Sequence, residues 1–223
     1  GGGFCCDQQT IYDPRTNVLF FPQQYLNSAT TGVQRINVDV GFDGAFDCYY
    51  DITPQLVGFA ANNWSDFPDL ALTKSHLVHS SNVFSTTTSA FSGAFVVRYP
   101  LTQLASCGTV NFQYFQTPTL GSFRLAQGGT NVGYFGTHLT NASIRIYSWP
   151  DANPSPTSVD RAVNAWPTST AVCPGPDARD WCGFIDGRMG GAFVSNGVVG
   201  FMWGVAQGGG FAYPNTRIAR FNA

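Results

Sequence analysis

One short phrase recurs four times along the chain: an apolar run, a tight polar turn, a second apolar run, a loop, and then a run in which arginine alternates with apolar residues. The first copy reads Thr-Ile-Tyr-Asp-Pro-Arg-Thr-Asn-Val-Leu-Phe-Phe at 10–21, with Val-Gln-Arg-Ile-Asn-Val at 33–38. The second spans 70–79 with 93–99, the third 123–135 with 143–147, and the fourth 191–201 with 216–221. A strand-built unit returning every few tens of residues specifies a radial β array, because one copy cannot bury its own apolar face.

The expectation is therefore an all-β, single-domain β-propeller. It has about four four-stranded antiparallel blades at roughly 4–54, 66–117, 122–165 and 183–223 within 1–223. Inner strands are expected near 8–12 and 69–73, and outer strands at 48–52, 111–116 and 159–163. In Ser-Ile-Arg-Ile-Tyr at 143–147 the period of two puts Ile144 and Ile146 between blades and Arg145 on the other face. The last copy ends without an outer strand, except for what residues 1–4 offer. The array is thus expected to belong to a larger propeller or to pair with another chain. The excess over an ordinary repeat length is assigned to loops, among them 55–66, which holds Trp64, and 166–181.

Composition narrows the functional classes. Only 11% of residues are charged and the formal net charge is -2, so the concentrated basic face of a nucleic-acid binder is absent. All the acidic residues are Asp, and Lys occurs once, at Lys74. With 25 Gly and 13 Pro, this favours strands and turns over surface helices. No apolar run is long enough to cross a bilayer. Six cysteines suit an oxidising, extracellular compartment. Cys173 and Cys182 bracket a Pro-Gly-Pro-Asp loop and are expected to close it. Cys5 or Cys6 is expected to reach Cys48, leaving Cys107 to the other vicinal cysteine or free.

Propeller ligands gather where the inner strands converge. Asp7, Asp66, Asp69, Arg124, Asp186 and Arg188 stand at or just before those strands. Carboxylates brought together there could serve as acid and base on a sugar, or hold Ca²⁺, or simply cap turns. The chain implies no cofactor, and Ca²⁺ is the one ion the Asp set would suit. Asp39, Asp43, Asp47 and Asp51 recur every four residues in what reads as a loop and depart from the EF-hand pattern. His76 and His79, three apart in a strand, point to opposite faces, and His138 reads as a rim histidine. Trp64, Trp149, Trp166 and Trp181 fall in or beside loops, with Tyr213 near the last copy. Of these, Trp181 and Tyr213 are candidates for stacking on a ligand. Asn63-Trp-Ser and Asn141-Ala-Ser match the glycosylation pattern, which also arises by chance.

The segments Phe4-Cys-Cys-Asp-Gln, Asp66-Phe-Pro-Asp-Leu-Ala-Leu, Phe123-Arg-Leu-Ala-Gln-Gly, Gly200-Phe-Met-Trp and Tyr213-Pro-Asn-Thr-Arg-Ile-Ala-Arg-Phe resemble a group of large secreted bacterial proteins. The repeats of that group are similar to sialidase-like and BNR-repeat β-propellers. The resemblance implies the propeller fold and no particular activity. The Asp-box is missing, and without Glu the Tyr-Glu pair of sialidases cannot be built. A rival resemblance, of 186–204 to the nucleophile region of trypsin-like proteases, lacks the nucleophile, since Arg188 or Met189 stands where Ser belongs.

Two functional readings follow. One is an extracellular binding or structural module, directed at a glycan, a protein partner or the remaining blades of a larger propeller. The other is a glycosidase-like hydrolase using Asp carboxylates at the channel mouth.

Overall fold

The structure is a computed structural model and describes residues 4–28, 31–183 and 186–223. Four small antiparallel sheets are arranged as a four-bladed β-propeller. The trypsin-like barrel is thereby overturned: nearly all strand pairing is antiparallel within a blade, and no barrel closes among the described residues.

The first blade contains β1 (Phe4–Gln8), β2 (Ile11–Asp13), β3 (Val18–Ser28), β4 (Thr31–Val40) and β5 (Cys48–Ile52). β1 and β2 both pair with β3, so together they form one broken inner strand. This corrects the placement of Phe4 as an outer strand for the last blade; residues 1–3 lie outside the described residues. The second blade contains β6 (Asn63–Leu72), β7 (His76–Ser85), β8 (Phe91–Pro100) and β9 (Gln113–Thr117). A short helix α1 (Leu101–Ala105) lies before its outer strand. The third has β10 (Arg124–Leu125), β11 (Val132–Thr140), β12 (Ser143–Pro150) and β13 (Thr157–Ala162). The fourth has β14 (Met189–Ser195), β15 (Val198–Val205) and β16 (Asn215–Asn222), with no outer strand among the described residues.

The core lies in three layers between consecutive blades, as period two requires of strands covered on both faces. Along β7, Leu77 and Val83 face the first blade and pack with Phe20, Ile36, Val38, Phe95 and Val97. Val78 faces the third blade and packs with Phe123, Phe135, Tyr147 and Trp149. Ile144 and Ile146 of β12 face the fourth blade, where Val199, Phe201 and Trp203 meet them. Arg145 turns away, and its Nε and Nη2 donate to Asp160 on β13 at 2.6 and 2.8 Å.

Three sequence expectations fail. Trp64 is in β6, not in a loop, because the inner strand starts at Asn63, where a single parallel bridge to Thr31 joins the first two blades. Trp149 is in β12 and buried, and Trp166 is buried under the third and fourth blades. Cys48 pairs with Cys107 rather than with Cys5 or Cys6. The turn after α1 brings Cys107 to the outer strand of the first blade, with Cα atoms 5.8 Å apart, inside disulfide range. Cys173 and Cys182 are joined as expected, and Cys6 is also disulfide-bonded.

Candidate functional site

The site begins with a defect in β6. The register with β7 slips between Asp66 and Asp69. Pro68 has no N–H for the ladder, and Phe67 takes a left-handed φ of 57°, so the strand bulges. The bulge turns the Phe67 ring toward two arginines from other blades. The guanidinium of Arg124 stands 5.1 Å from its centroid and that of Arg188 4.3 Å, both within cation–π range.

Beyond the bulge, Asp69 is buried and joins the blades. Its Oδ1 accepts from Gln9 Nε2 of the first blade at 3.1 Å and from Leu70 N at 3.1 Å. The same oxygen lies 3.0 Å from Nη1 of Arg124 in the third blade. Its Oδ2 accepts from Leu125 N at 2.7 Å. Arg124 Nε donates in turn to the carbonyl of Met189, the first residue of β14, at 3.1 Å. One carboxylate therefore connects the inner strands of three blades, and through Arg124 the fourth. Burial raises the Asp69 pKa above its ordinary value, and Arg124 and the hydrogen bonds offset only part of that rise. Two further links reinforce this centre. Leu70 N donates to Gln9 Oε1 at 2.7 Å, and Gln127 Nε2 donates to the carbonyl of Leu70 at 2.6 Å.

From this mouth a cleft opens between the third and fourth blades. Its inner part is lined by Ser122, Thr137, His138, Gly187 and Arg188. Its outer part, about 260 Å³, adds Asn141, Trp166, Thr168, Ser169 and Asp186. The local sequence builds each wall. β11 runs antiparallel to β10, so its end carries His138 back to the mouth. Ser122 is held by Asn82, whose Oδ1 accepts from Ser122 N at 2.6 Å. His138 leans on Trp166 and Trp203, with centroids 4.5 and 5.0 Å away. Burial lowers its pKa to about 4, against a backbone hydrogen bond at Gly187 that raises it, so the ring is neutral at pH 7. Asp186 forms an exposed ion pair with Arg188, whose Nε donates at 2.6 Å. Burial alone would raise the Asp186 pKa, but the side-chain and backbone hydrogen bonds from Arg188 outweigh it and the net shift is downward.

The structure thus gathers Asp69, Arg124, Asp186 and Arg188 around Phe67 and the cleft beside it, whereas the Asp66 carboxylate is directed to the first blade. Asp66 accepts from Gln24 Nε2 at 3.3 Å. Asp7 is exposed on β1, and Gln9, two residues on, makes the contact to the centre instead. Trp181 and Tyr213 are 67% and 80% exposed and do not line the cleft. The Trp181 Nε1 donates within its own disulfide loop, to Asp177 at 3.3 Å. The regular spacing of Asp39, Asp43 and Asp47 is turn chemistry: Asp39 is buried and accepts from the backbone N–H of Asp43 and Gly44. Among the described residues no three His, Cys, Asp or Glu side chains gather as a metal-ligand group.

Sequence reasoning missed Gln9, Phe67 and Gln127, and did not place His138 in a cleft. Of these, only Phe67 carried a signal, since a proline inside a strand-like run marks a bulge. Both glycosylation-pattern asparagines have their amides engaged. Asn63 is buried and donates to Ala60 O at 2.9 Å, and Asn141 donates to Trp166 O at 3.1 Å.

No protein-family model matches the chain, and no curated protein or solved structure shows significant similarity to it. The propeller fold is consistent with a binding or structural module. The Cys48–Cys107 and Cys173–Cys182 disulfides, and the lack of any described helix long and apolar enough to cross a membrane, are compatible with an extracellular protein.

Proposed function

We propose that the protein is a secreted binding module that takes a carbohydrate in the cleft between the third and fourth blades. The observation that carries this reading is the composition of the cleft. An aromatic floor of Trp166 and neutral His138 is ringed by the short polar side chains of Ser122, Thr137, Asn141, Thr168 and Ser169, with the Asp186–Arg188 pair at the rim. Apolar ring faces and convergent hydrogen-bonding groups are what a sugar presents a use for. Binding is favoured over hydrolysis because a glycosidase needs two carboxylates free to exchange protons across the bond. Asp69 is committed to Arg124 and three other donors, and Asp186 to Arg188. Kinship with sialidase-like propellers and a bacterial source belong to the same reading and rest on the motif resemblance alone.

The test is a glycan array on the intact chain, followed by titration of a retained glycan into the wild type and Asp186→Asn. Asp186 is exposed, so the substitution removes one charged acceptor without opening the core. Affinity is expected to fall about tenfold, the worth of one charge-assisted hydrogen bond, with an unchanged unfolding midpoint. Retention of no glycan by the wild type, or equal affinity in the variant, refutes the proposal.

A further inference from the structure

Blades one and three treat their alternating arginine alike. Arg35 on β4 stands directly opposite Asp51 on β5, and Arg145 on β12 directly opposite Asp160 on β13. Each guanidinium grips its aspartate with two hydrogen bonds of 2.6–2.8 Å. In the second blade Arg98 lies on the other sheet face, yet it too is held by the residue opposite, Gln113, at 2.8 Å.

In the fourth blade Arg217 occupies the position of Arg145. Trp203↔Arg217 pairs two residues beyond buried Phe201, as Thr137↔Arg145 pairs two residues beyond buried Phe135. Yet β16 has no strand outside it among the described residues. No carboxylate pairs with Arg217 or Arg220 among the seven ion pairs of the described residues. The Nε of Arg217 is buried and makes no hydrogen bond, and its guanidinium rests on Phe211, 4.8 Å away.

The neighbouring blade shows the same gap. All six residues of β13 are exposed, whereas β5 of the first blade buries Ile52. Val159, opposite Ile146 and so directed at the fourth blade, is 40% exposed. It lines, with Arg161 and Phe221, a cleft of about 290 Å³. A second cleft, of about 260 Å³, runs along β16 past Arg217 and Arg220.

We infer that the outer edge of β16 is a docking site for an extended segment of a partner chain, added antiparallel as the fourth strand of the last blade and carrying an aspartate or glutamate opposite Arg217. Backbone groups on the open edge supply the ladder, and the side-chain pockets supply the selectivity. Residues two positions to either side of the carboxylate fall on the same face and cover Val159, so they are uncharged, as Ser158 and Ala162 are around Asp160. Arg161 and Arg220 beside the groove add to its preference for an acidic strand.

A synthetic peptide with the sequence of β13, Thr-Ser-Val-Asp-Arg-Ala between solubilising ends, is the probe. Amide hydrogen exchange of the full chain is followed with increasing peptide, beside a control peptide in which Asn replaces Asp. Protection is expected across Asn215–Asn222, with the control peptide about tenfold weaker. Arg217→Gln should bind both peptides at the control level. The control peptide leaves the protein unaltered, so the comparison stands even if Arg217→Gln unfolds. Absence of protection in β16, equal protection by the two peptides, or protection that grows with protein concentration alone and so marks a second copy, each overturns the inference.

Discussion

Buried polar residues set the pH response of this protein, and His79 is the clearest case. It sits mid-strand in β7, fully buried, with the Phe95 ring edge-on at 5.7 Å and no hydrogen bond to either ring nitrogen. Burial lowers its pKa from 6.5 to about 3. The unfolded chain therefore binds a proton between those values while the folded chain does not. That contribution to stability is complete above pH 6.5 and is lost as pH falls. The slope is about 1.4 kcal/mol per unit at its steepest. His79→Leu, of similar volume, should flatten the decline of the urea midpoint between pH 6.5 and 4. A parallel decline in both proteins would show that His79 is not the titrating group. Asp13 shifts in the same direction from a different cause, and its contribution is likewise lost as pH falls. Burial raises its pKa, but hydrogen bonds from Arg15 and Thr16 outweigh it, and the net shift is downward.

At the scale of strands and links, the first two blades are fastened at two levels. The Thr31–Asn63 bridge joins them near the centre, and the Cys48–Cys107 disulfide joins the outer strand of one to the turn after α1. That disulfide closes 59 residues of chain, and the chain-entropy model gives such a loop about 4 kcal/mol. Cys48→Ala with Cys107→Ala should lower unfolding free energy by that order, measured in urea. A loss under about 1 kcal/mol would mean the blades are held by packing alone.

The blades were legible from the sequence because their signal is local: the alternation in Ser-Ile-Arg-Ile-Tyr and the tight polar turn between paired apolar runs mark strand after strand. Cys173 and Cys182 were legible for the same reason, being neighbours across one short loop. The partner of Cys48 was not, since it depends on where a 59-residue excursion returns. The broken inner strand of the first blade, β1 then β2, and the early start of β6 at Asn63 also escaped. The first arises because β1 and β2 share one partner strand, β3, and the second from the bridge to Thr31 of the first blade; neither has a strong local propensity behind it.

For the whole molecule, the sequence marked Asp69, Arg124 and Arg188 as residues that radial repetition would bring together, and the structure brings them around Phe67. The chemistry differs from that of an open carboxylate pair. Asp69 directs its acceptor capacity to Gln9, Leu70, Arg124 and Leu125, and so fixes the inner strands of three blades about one point, with the fourth reached through Arg124. A cleft between the third and fourth blades keeps its shape only while that point holds, because Arg124 also carries the carbonyl of Met189 at the cleft edge. Breaking one partner of a buried ion pair costs about 3–5 kcal/mol, since the other charge is left unmatched. The most direct measurement is a urea-unfolding cycle of the wild type, Asp69→Ala, Arg124→Ala and the double variant. If the blades meet at this ion pair, the two losses are strongly coupled, with the double variant more stable than their sum by over about 1 kcal/mol. Additivity to within about 0.5 kcal/mol would contradict a common centre at Asp69.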